Sequence, residues 1–216
     1  MSELVHGLSG DFLPRFLAGM AMNFEIAAIA LAIGLALGVV LALGRLAGGI
    51  AGATSASLVA LMRAAPTFVV MFFLLNALPR DATLFGRPFG LSGMMTVALS
   101  LVPYSAAYVG DAAFDALRHL RAGTPHGAML FLPNVTRAFF VLVMSSSAGA
   151  AIGVTEGITV ILREAERLPD LDDRLTLFAL GIVLFGIPLQ IAFALVGAIQ
   201  RRVARATAAR AMQGGR

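Results

Sequence analysis

The chain alternates long apolar runs with short segments that hold most of its charge. Five runs are long enough to cross the roughly 30 Å hydrocarbon core of a membrane, because a helix rises about 1.5 Å per residue. Their approximate bounds are 24–44, 58–78, 89–110, 134–154 and 175–200. The sequence therefore predicts an all-α integral membrane protein, in which residues 1–216 form a single transmembrane domain.

Two polar segments separate the later runs. In the first, 111–133, acidic and basic side chains recur at spacings of three and four, which predicts a short amphipathic helix that Gly123 ends. Pro133 is expected in the first turn of the next helix, where proline is tolerated. The second segment, 155–174, predicts another short amphipathic helix, followed by a turn at Pro169.

The first apolar run has a row of small residues. Ala30, Gly34, Gly38 and Ala42 recur every fourth position and so share one face of a helix. Small residues in this pattern allow a second helix to approach closely. Close helix packing is the simpler interpretation, and a pore lining is the alternative.

Composition excludes several functions. The chain is 59% hydrophobic and 13% charged, has no cysteine, and takes all sixteen of its basic residues as arginine. Without lysine it has neither a P-loop lysine nor a Schiff-base lysine, and without cysteine it has no thiolate metal site. We therefore expect no cofactor on this chain and no enzymatic activity of its own, and any ATP would be used by a partner.

The arginines are distributed unequally between the two sides that five crossings define. Ten fall on the side of the C-terminus and six on the other. Since arginine and lysine are enriched in cytoplasmic segments, the N-terminus is predicted outside and the C-terminus in the cytoplasm. Segment 111–133 is then cytoplasmic. Arg63, inside the second run, either reaches the interface with its long side chain or faces a polar cavity.

Several short motifs occur in a fixed order at the ends of the predicted spans. They are Met62-Arg63-Ala64-Ala65-Pro66-Thr67, Ala107-Tyr108-x-Gly110-Asp111, Leu132-Pro133-Asn134-x-x-Arg137 and Ile152-Gly153-Val154-x-Glu156. They resemble the Arg-Gly-Thr-Pro, Ala-Tyr-x-Ala-Glu, Leu-Pro-Gln-x-x-Arg and Ile-Gly-Val-x-Glu segments of the permease subunits of polar amino-acid ABC importers. The resemblance covers nearly the whole chain, from about residue 24 to 203.

The resemblance implies a set of partners. They are a second permease subunit, a dimer of ATP-binding cassette ATPases that bind ATP and magnesium, and a periplasmic substrate-binding protein. The expected location is the bacterial inner membrane, with several spans in the lipid bilayer and no nucleic-acid partner. The expected function is passage of a solute, a polar amino acid by analogy, through the permease pair.

The resemblance also implies two groups of functional residues. The residues expected to couple to the ATPase are Asp111, Asp115, Arg118, His119, Arg121, Gly123, His126, Gly127 and Ala128. The residues expected along the translocation path or the subunit interface are Arg63, Pro66, Thr67, Tyr108, Ser145, Ser146, Ser147 and Glu156.

The chain departs from the family pattern in both groups. His126-Gly127-Ala128 stands where the family has Glu-Ala-Ala, and Leu132-Pro133 arrives about a dozen residues early, a shortening that a surface loop tolerates. Met144-Ser145-Ser146-Ser147 stands where the family has Lys-Asp-Thr-Ser. A shortened, degenerate coupling loop favours a heterodimer, in which the second permease supplies an intact one.

Other functions remain as alternatives. Asp111, Asp115 and His119 share a helical face and form a candidate metal site, although the resemblance explains Asp111 without metal. No histidine lies within a predicted span to serve the serine run as a base, which argues against a hydrolase. No internal repeat or deep carboxylate supports a secondary transporter. The main alternative is a degenerate, permease-like membrane scaffold without its own transport path.

Overall fold

A computed structural model describes residues 11–78, 83–84, 86–88, 90–124 and 128–214. All long elements are helices, as predicted. The helices are α1 (Phe12–Ala47), α2 (Gly49–Ala64), α3 (Thr67–Ala77), α4 (Gly93–Arg121), α5 (Phe131–Ser145), α6 (Gly157–Ala165) and α7 (Leu171–Gly214). A 3-10 segment, Ser146–Ile152, continues α5, and two short strands, β1 (Thr83–Leu84) and β2 (Arg87–Pro88), pair antiparallel.

Helix α1 begins at Phe12, about three helical turns before the start of the predicted span at residue 24. Phe12, Phe16 and Met20 recur every fourth residue and are almost completely buried. They form a core with Val160, Ile161, Ala165, Leu168 and Leu177. The amphipathic α6, which the sequence predicted, therefore holds the first three turns of α1 in helical form.

The predicted second span is a bent pair of helices. The glycine, alanine and serine content of residues 46–57 predicts a connector, yet the chain is helical from Gly49 onward, because α2 packs through Ser55 on Gly44 of α1 and through Val59 on Gly110 of α4. Helix α2 ends at Ala64 and α3 begins at Thr67, and their axes differ by 91°. Pro66 causes the break, since a residue before proline avoids the helical conformation and Ala65 is extended, with ψ 114°.

Helices α1 and α4 run parallel to each other. Gly34 of α1 lies against Ser105 and Gly38 against Ala106 and Gly110, so the contacts advance in the same direction along both helices. Near the end of α1, Arg45 reaches Asp111. Because two parallel neighbours require the chain to return between them, the α2–α3 pair carries it back across the bundle.

Among the described residues, four helices are long and apolar enough to cross a membrane, and the number is five if the bent α2–α3 pair counts as one span. The order is α1, α2–α3, α4, α5 with its 3-10 segment, and α7. We call the end where α1 and α4 finish the basal end, and the end where α6 lies the distal end.

The small-residue row on α1 is filled by α4 of the same chain. A Cβ atom on Gly34 would lie 2.1 Å from Ser105 Oγ and 2.5 Å from Ser105 Cβ. A Cβ on Gly38 would lie 2.8 Å from the carbonyl oxygen of Ala106. The prediction of close helix packing is confirmed, and the row is therefore unavailable to a second permease.

The polar segment after α4 differs from its predicted form in one respect. Its amphipathic helix is not separate, because α4 continues without interruption to Arg121. Gly123 ends the helix as predicted: it has φ 70°, and its N–H donates to the Leu120 carbonyl while the Thr124 N–H donates to that of His119. This pair of bonds is the Schellman arrangement that closes many helices.

Candidate functional site

Asp111 joins three helices at the basal end. Its Oδ1 accepts a hydrogen bond from Arg45 Nη1 at 2.7 Å, and its Oδ2 pairs with Arg63 Nη2. Arg45 lies at the end of α1, and Arg63 at the end of α2. The structure thus unites Asp111, predicted to couple to the ATPase, with Arg63, predicted on the translocation path.

Phe114, one turn after Asp111, supports two arginines. The Arg45 guanidinium carbon lies 4.1 Å from its ring centroid, and that of Arg118 lies 5.7 Å away. A cation over an aromatic face is attracted by the ring quadrupole. The Arg45 side chain, 22% exposed, is consequently held between a carboxylate and a ring.

An open hollow of about 530 Å³ lies beside this cluster. The residues that line it are Asp115, Arg118, His119, Arg121 and Ala122. Arg121 Nη1 donates to the Leu46 carbonyl at 3.2 Å, and His119 Nδ1 lies 3.1 Å from Thr124 Oγ1. The surface holds one carboxylate against two arginines and a histidine, which suits a negatively charged or hydrogen-bond-accepting group on a partner.

The hollow therefore gathers four residues that the sequence predicted to couple to an ATPase. Gly123 ends α4 next to this hollow, and Ala128 is the first residue of the described range 128–214. His126 and Gly127 fall outside the described residues.

The metal alternative gains no support from the described residues. Both oxygens of Asp111 are engaged by arginines, and His119 contacts Thr124. Within the described ranges, no group of three histidine, cysteine or acidic side chains comes together around a common point.

A second hollow, of about 450 Å³, separates α3 from the end of α5. The residues that line it are Thr67, Phe68, Met144, Ser145 and Ala148. It brings together Thr67 and Ser145, which come from distant motifs and were both predicted on the translocation path. Their hydroxyl groups can donate and accept hydrogen bonds, while Phe68 and Met144 supply apolar surface.

The remaining predicted path residues lie elsewhere. Pro66 forms the bend before α3, and Tyr108 lies on α4 with its ring centroid 6.1 Å from that of Tyr104. Ser147 is half-buried in the 3-10 segment. Ser146 and Glu156 are fully buried and belong to a third cluster.

That third cluster is a closed polar network near the distal end. Asn23 Nδ2 donates to Ser146 Oγ at 2.8 Å and to Glu156 Oε2 at 3.1 Å. Asn23 Oδ1 accepts the Gly157 N–H at 3.0 Å. All three side chains, Asn23, Ser146 and Glu156, have no exposed surface. The network ties α1 to the 3-10 segment and to the start of α6.

Glu156 caps α6. Its carboxylate accepts the N–H groups of Ile158 at 2.9 Å and Thr159 at 2.8 Å. The Thr159 hydroxyl lies 2.9 Å from the carboxylate and 2.7 Å from the Val154 carbonyl, and its one proton is shared between these acceptors. A carboxylate at a helix N-terminus satisfies free backbone donors and is favoured by the helix dipole. This accounts for a fully buried acidic side chain without requiring a solute beside it.

Sequence reasoning did not identify Asn23 as a site residue. One signal was present: Asn23 is an amide side chain that immediately precedes an apolar run, followed by Glu25. Only the fold, however, places Asn23 beside residues more than 120 positions away, as its bonds to Ser146 and Glu156 show.

Comparison with known proteins identifies the fold. The chain matches one chain of a crystal structure of an amino acid ABC transporter with histidines, with a TM-score of 0.70, 17% sequence identity, and coverage of 89% of this chain and 95% of that chain. No family model and no curated protein sequence matches. The chain therefore shares the fold of that chain, and its described residues include four helices long and apolar enough to cross a membrane.

Proposed function

We propose that this chain is a transmembrane permease subunit of an ATP-driven ABC importer. The observation that carries the proposal is the fold likeness, which spans nearly the full length of both chains. The two hollows add support, because each one gathers residues that the sequence motifs had assigned to a single role.

In the proposed mechanism the basal hollow receives the ATPase. Because α4 runs unbroken from the hollow into the bundle, a push on Arg118 or Arg121 moves the helix that packs along α1. ATP and magnesium are bound by the partner ATPase dimer. Closure of that dimer rocks the helices and exposes the path alternately to the two sides.

The hollow between α3 and α5 is the proposed stretch of the translocation path. Its hydroxyl and apolar lining includes no charged side chain among the described residues, so it can hydrogen-bond a polar solute without selecting for charge. A polar amino acid, delivered by a periplasmic binding protein on the distal side, is the proposed substrate. The proposed location is the bacterial inner membrane.

The proposed assembly is a heterodimer with a second permease. The shortened segment between α4 and α5 supports it, since a partner with an intact segment would provide the stronger ATPase contact. The small-residue row on α1 offers no contact surface to that partner, because α4 occupies it.

Charge reversal in the basal hollow should test the assignment. Arg118→Glu is expected to reduce copurification of the ATPase with the permease pair at least about tenfold, since like charges brought together at an interface cost several kcal/mol and about 1.4 kcal/mol is already tenfold. Arg163→Glu, on the exposed face of α6, is the matched control and should copurify normally. Equal binding by both variants would contradict docking at this hollow.

Transport separates the importer from the scaffold alternative. In proteoliposomes that hold both permeases and the ATPase, the binding protein loaded with a polar amino acid should stimulate ATP hydrolysis and uptake. A complex that assembles without substrate-dependent stimulation would support the scaffold. A stable, stimulated complex of this chain and the ATPase alone would contradict the heterodimer.

The proposed orientation has its own test. A reporter active only in the cytoplasm is expected to be active after Arg205 and silent when inserted near Asp172, because the arginine-rich side faces the cytoplasm. The reverse pattern would place the basal hollow outside and exclude an ATPase there.

A further inference from the structure

We propose that α2 is a hinged arm that an ion pair between Arg63 and Asp111 latches to the bundle, and that release of this latch moves the α3 wall of the second hollow. The proposal rests on the geometry of this chain and does not depend on the importer function. It assigns Arg63 and Asp111 a positioning role, in which they act on the hollow through α2 and α3.

A glycine pair forms the hinge at the start of α2. Gly48 has φ 72° and ψ −166°, and Gly49 has φ 57°. Side chains disfavour both conformations, and the region that Gly48 occupies is almost exclusive to glycine. A Cβ atom on either residue would meet nothing within 4 Å. Glycine is therefore required at both positions because of the positive φ angles, and not because a side chain would clash with a neighbour.

The other end of α2 is joined to α3 by a short bend. Ala65 and Pro66 are both extended, with ψ 114° and 122°, and they separate α2 from α3 at the 91° bend. The first turn of α3 has no side-chain cap. Two non-helical residues thus connect the arm to the segment that lines the second hollow.

Between its joints α2 is lightly attached. Of its residues, all of which the structure describes, Val59 alone is buried. Val59 lies against Gly110 of α4, where a Cβ atom would be 3.6 Å from its methyl group. Ser55 lies against Gly44 of α1, close to the glycine hinge. Beyond Val59, the contact that holds the far end of the arm is Arg63 with Asp111.

The latch is suited to opening. The side chains of Arg63 and Asp111 are 61% and 38% exposed, and exposed ion pairs contribute little net stability. Asp111 also keeps Arg45 when Arg63 leaves, so that opening does not strand a lone carboxylate. Breaking the ion pair therefore costs little, and the other contact that opening must release is that of Val59 with Gly110. A small free-energy difference between two states is the condition for a conformational switch.

Release of the latch has a direct consequence for the second hollow. Thr67 and Phe68 line it and follow the Pro66 joint at once. A swing of α2 about the Gly48 hinge displaces them relative to Ser145, which belongs to a different crossing. The width of this hollow is thus set by an ion pair on another face of the bundle.

Spin labels can measure the swing, since the chain has no cysteine of its own. Leu61→Cys on α2 and Leu120→Cys on α4 are both exposed positions. Electron–electron double resonance on the labelled protein in nanodiscs gives their distance distribution. Arg63→Gln is expected to add a longer distance, whereas Arg45→Gln, which leaves the latch intact, should keep the parent distribution.

Salt and glycine variants complete the experiment. Raising the salt to about 1 M, where the screening length falls to about 3 Å, should move the parent protein toward the Arg63→Gln distribution. Gly48→Ala should shift the distribution, whereas Gly52→Ala, within the helix, should not. A distribution unchanged by both Arg63→Gln and salt would overturn the proposal, whether or not the complex transports solute.

Discussion

Replacement of Gly34 by leucine is expected to prevent α1 from packing on α4. The new Cβ atom alone would lie within 2.5 Å of Ser105 Cβ and 3.0 Å of its backbone carbonyl carbon, and the rest of the side chain would extend further. Because neither atom can rotate away, the helices must separate. Overpacking costs about 1–3 kcal/mol where neighbours can adjust, and a larger loss is expected here.

Thermal unfolding in detergent, followed by size-exclusion chromatography, measures this effect. Gly186→Leu is the matched control, since a Cβ atom on Gly186 meets nothing within 4 Å. Gly34→Ala should be milder and should recover when Ser105→Gly removes the two closest atoms. If Gly34→Leu and Gly186→Leu unfold at the same temperature, the α1–α4 contact is wrong.

This contact shows how far the sequence determines the fold. The four-residue spacing of Gly34 and Gly38 predicted that a helix packs there, because periodicity reports which residues share a face. The spacing did not identify which helix packs against these glycines. That information lies in the order of the crossings, and it shows that the row serves α4 and not a second subunit.

The α2–α3 pair shows a different limit. Its apolar run and Pro66 were both visible in the sequence, and the bend follows from them. The helical state of residues 49–57 was missed because glycine, alanine and serine also compose flexible connectors. The contacts of Ser55 and Val59 with α1 and α4 decided the outcome, since tertiary packing outweighs local propensity.

A candidate site could be predicted from the sequence when its residues lie close together along the chain, and less well when they come from distant segments. Asp115, Arg118, His119 and Arg121 line one hollow because they share one helix end, which spacing alone predicts. Thr67 and Ser145 meet across the bundle, and only their motifs linked them. Ser146 was grouped with Ser145 because the two are adjacent in sequence. Consecutive residues point in different directions around the helix axis, however, so Ser146 faces the core, where it accepts a hydrogen bond from Asn23.

The second large effect is expected from Glu156→Leu. The substitution would leave the N–H groups of Ile158 and Thr159 without their acceptor. The buried Thr159 N–H without a partner costs about 1–3 kcal/mol and the partly buried Ile158 N–H costs less, so the predicted loss in the free energy of unfolding is roughly 2–4 kcal/mol. Since the network joins three elements, α6 should also detach from α1.

Hydrogen exchange on α6, together with thermal unfolding, distinguishes this loss from a general one. Exchange of the amide hydrogens of Thr159 and Val160 should speed up in Glu156→Leu before the α1–α4 contact opens, because Glu156 caps the N-terminus of α6.

The matched controls are two neighbouring serines. Ser146→Ala removes a hydrogen bond of the network, and Ser145→Ala, at a residue that lines the second hollow, removes none. Glu156→Gln should fall between the parent and Glu156→Leu, since its amide keeps one acceptor oxygen but introduces a donor that faces a backbone N–H. If Ser145→Ala destabilises the protein as much as Ser146→Ala, the network does not hold this end of the bundle together.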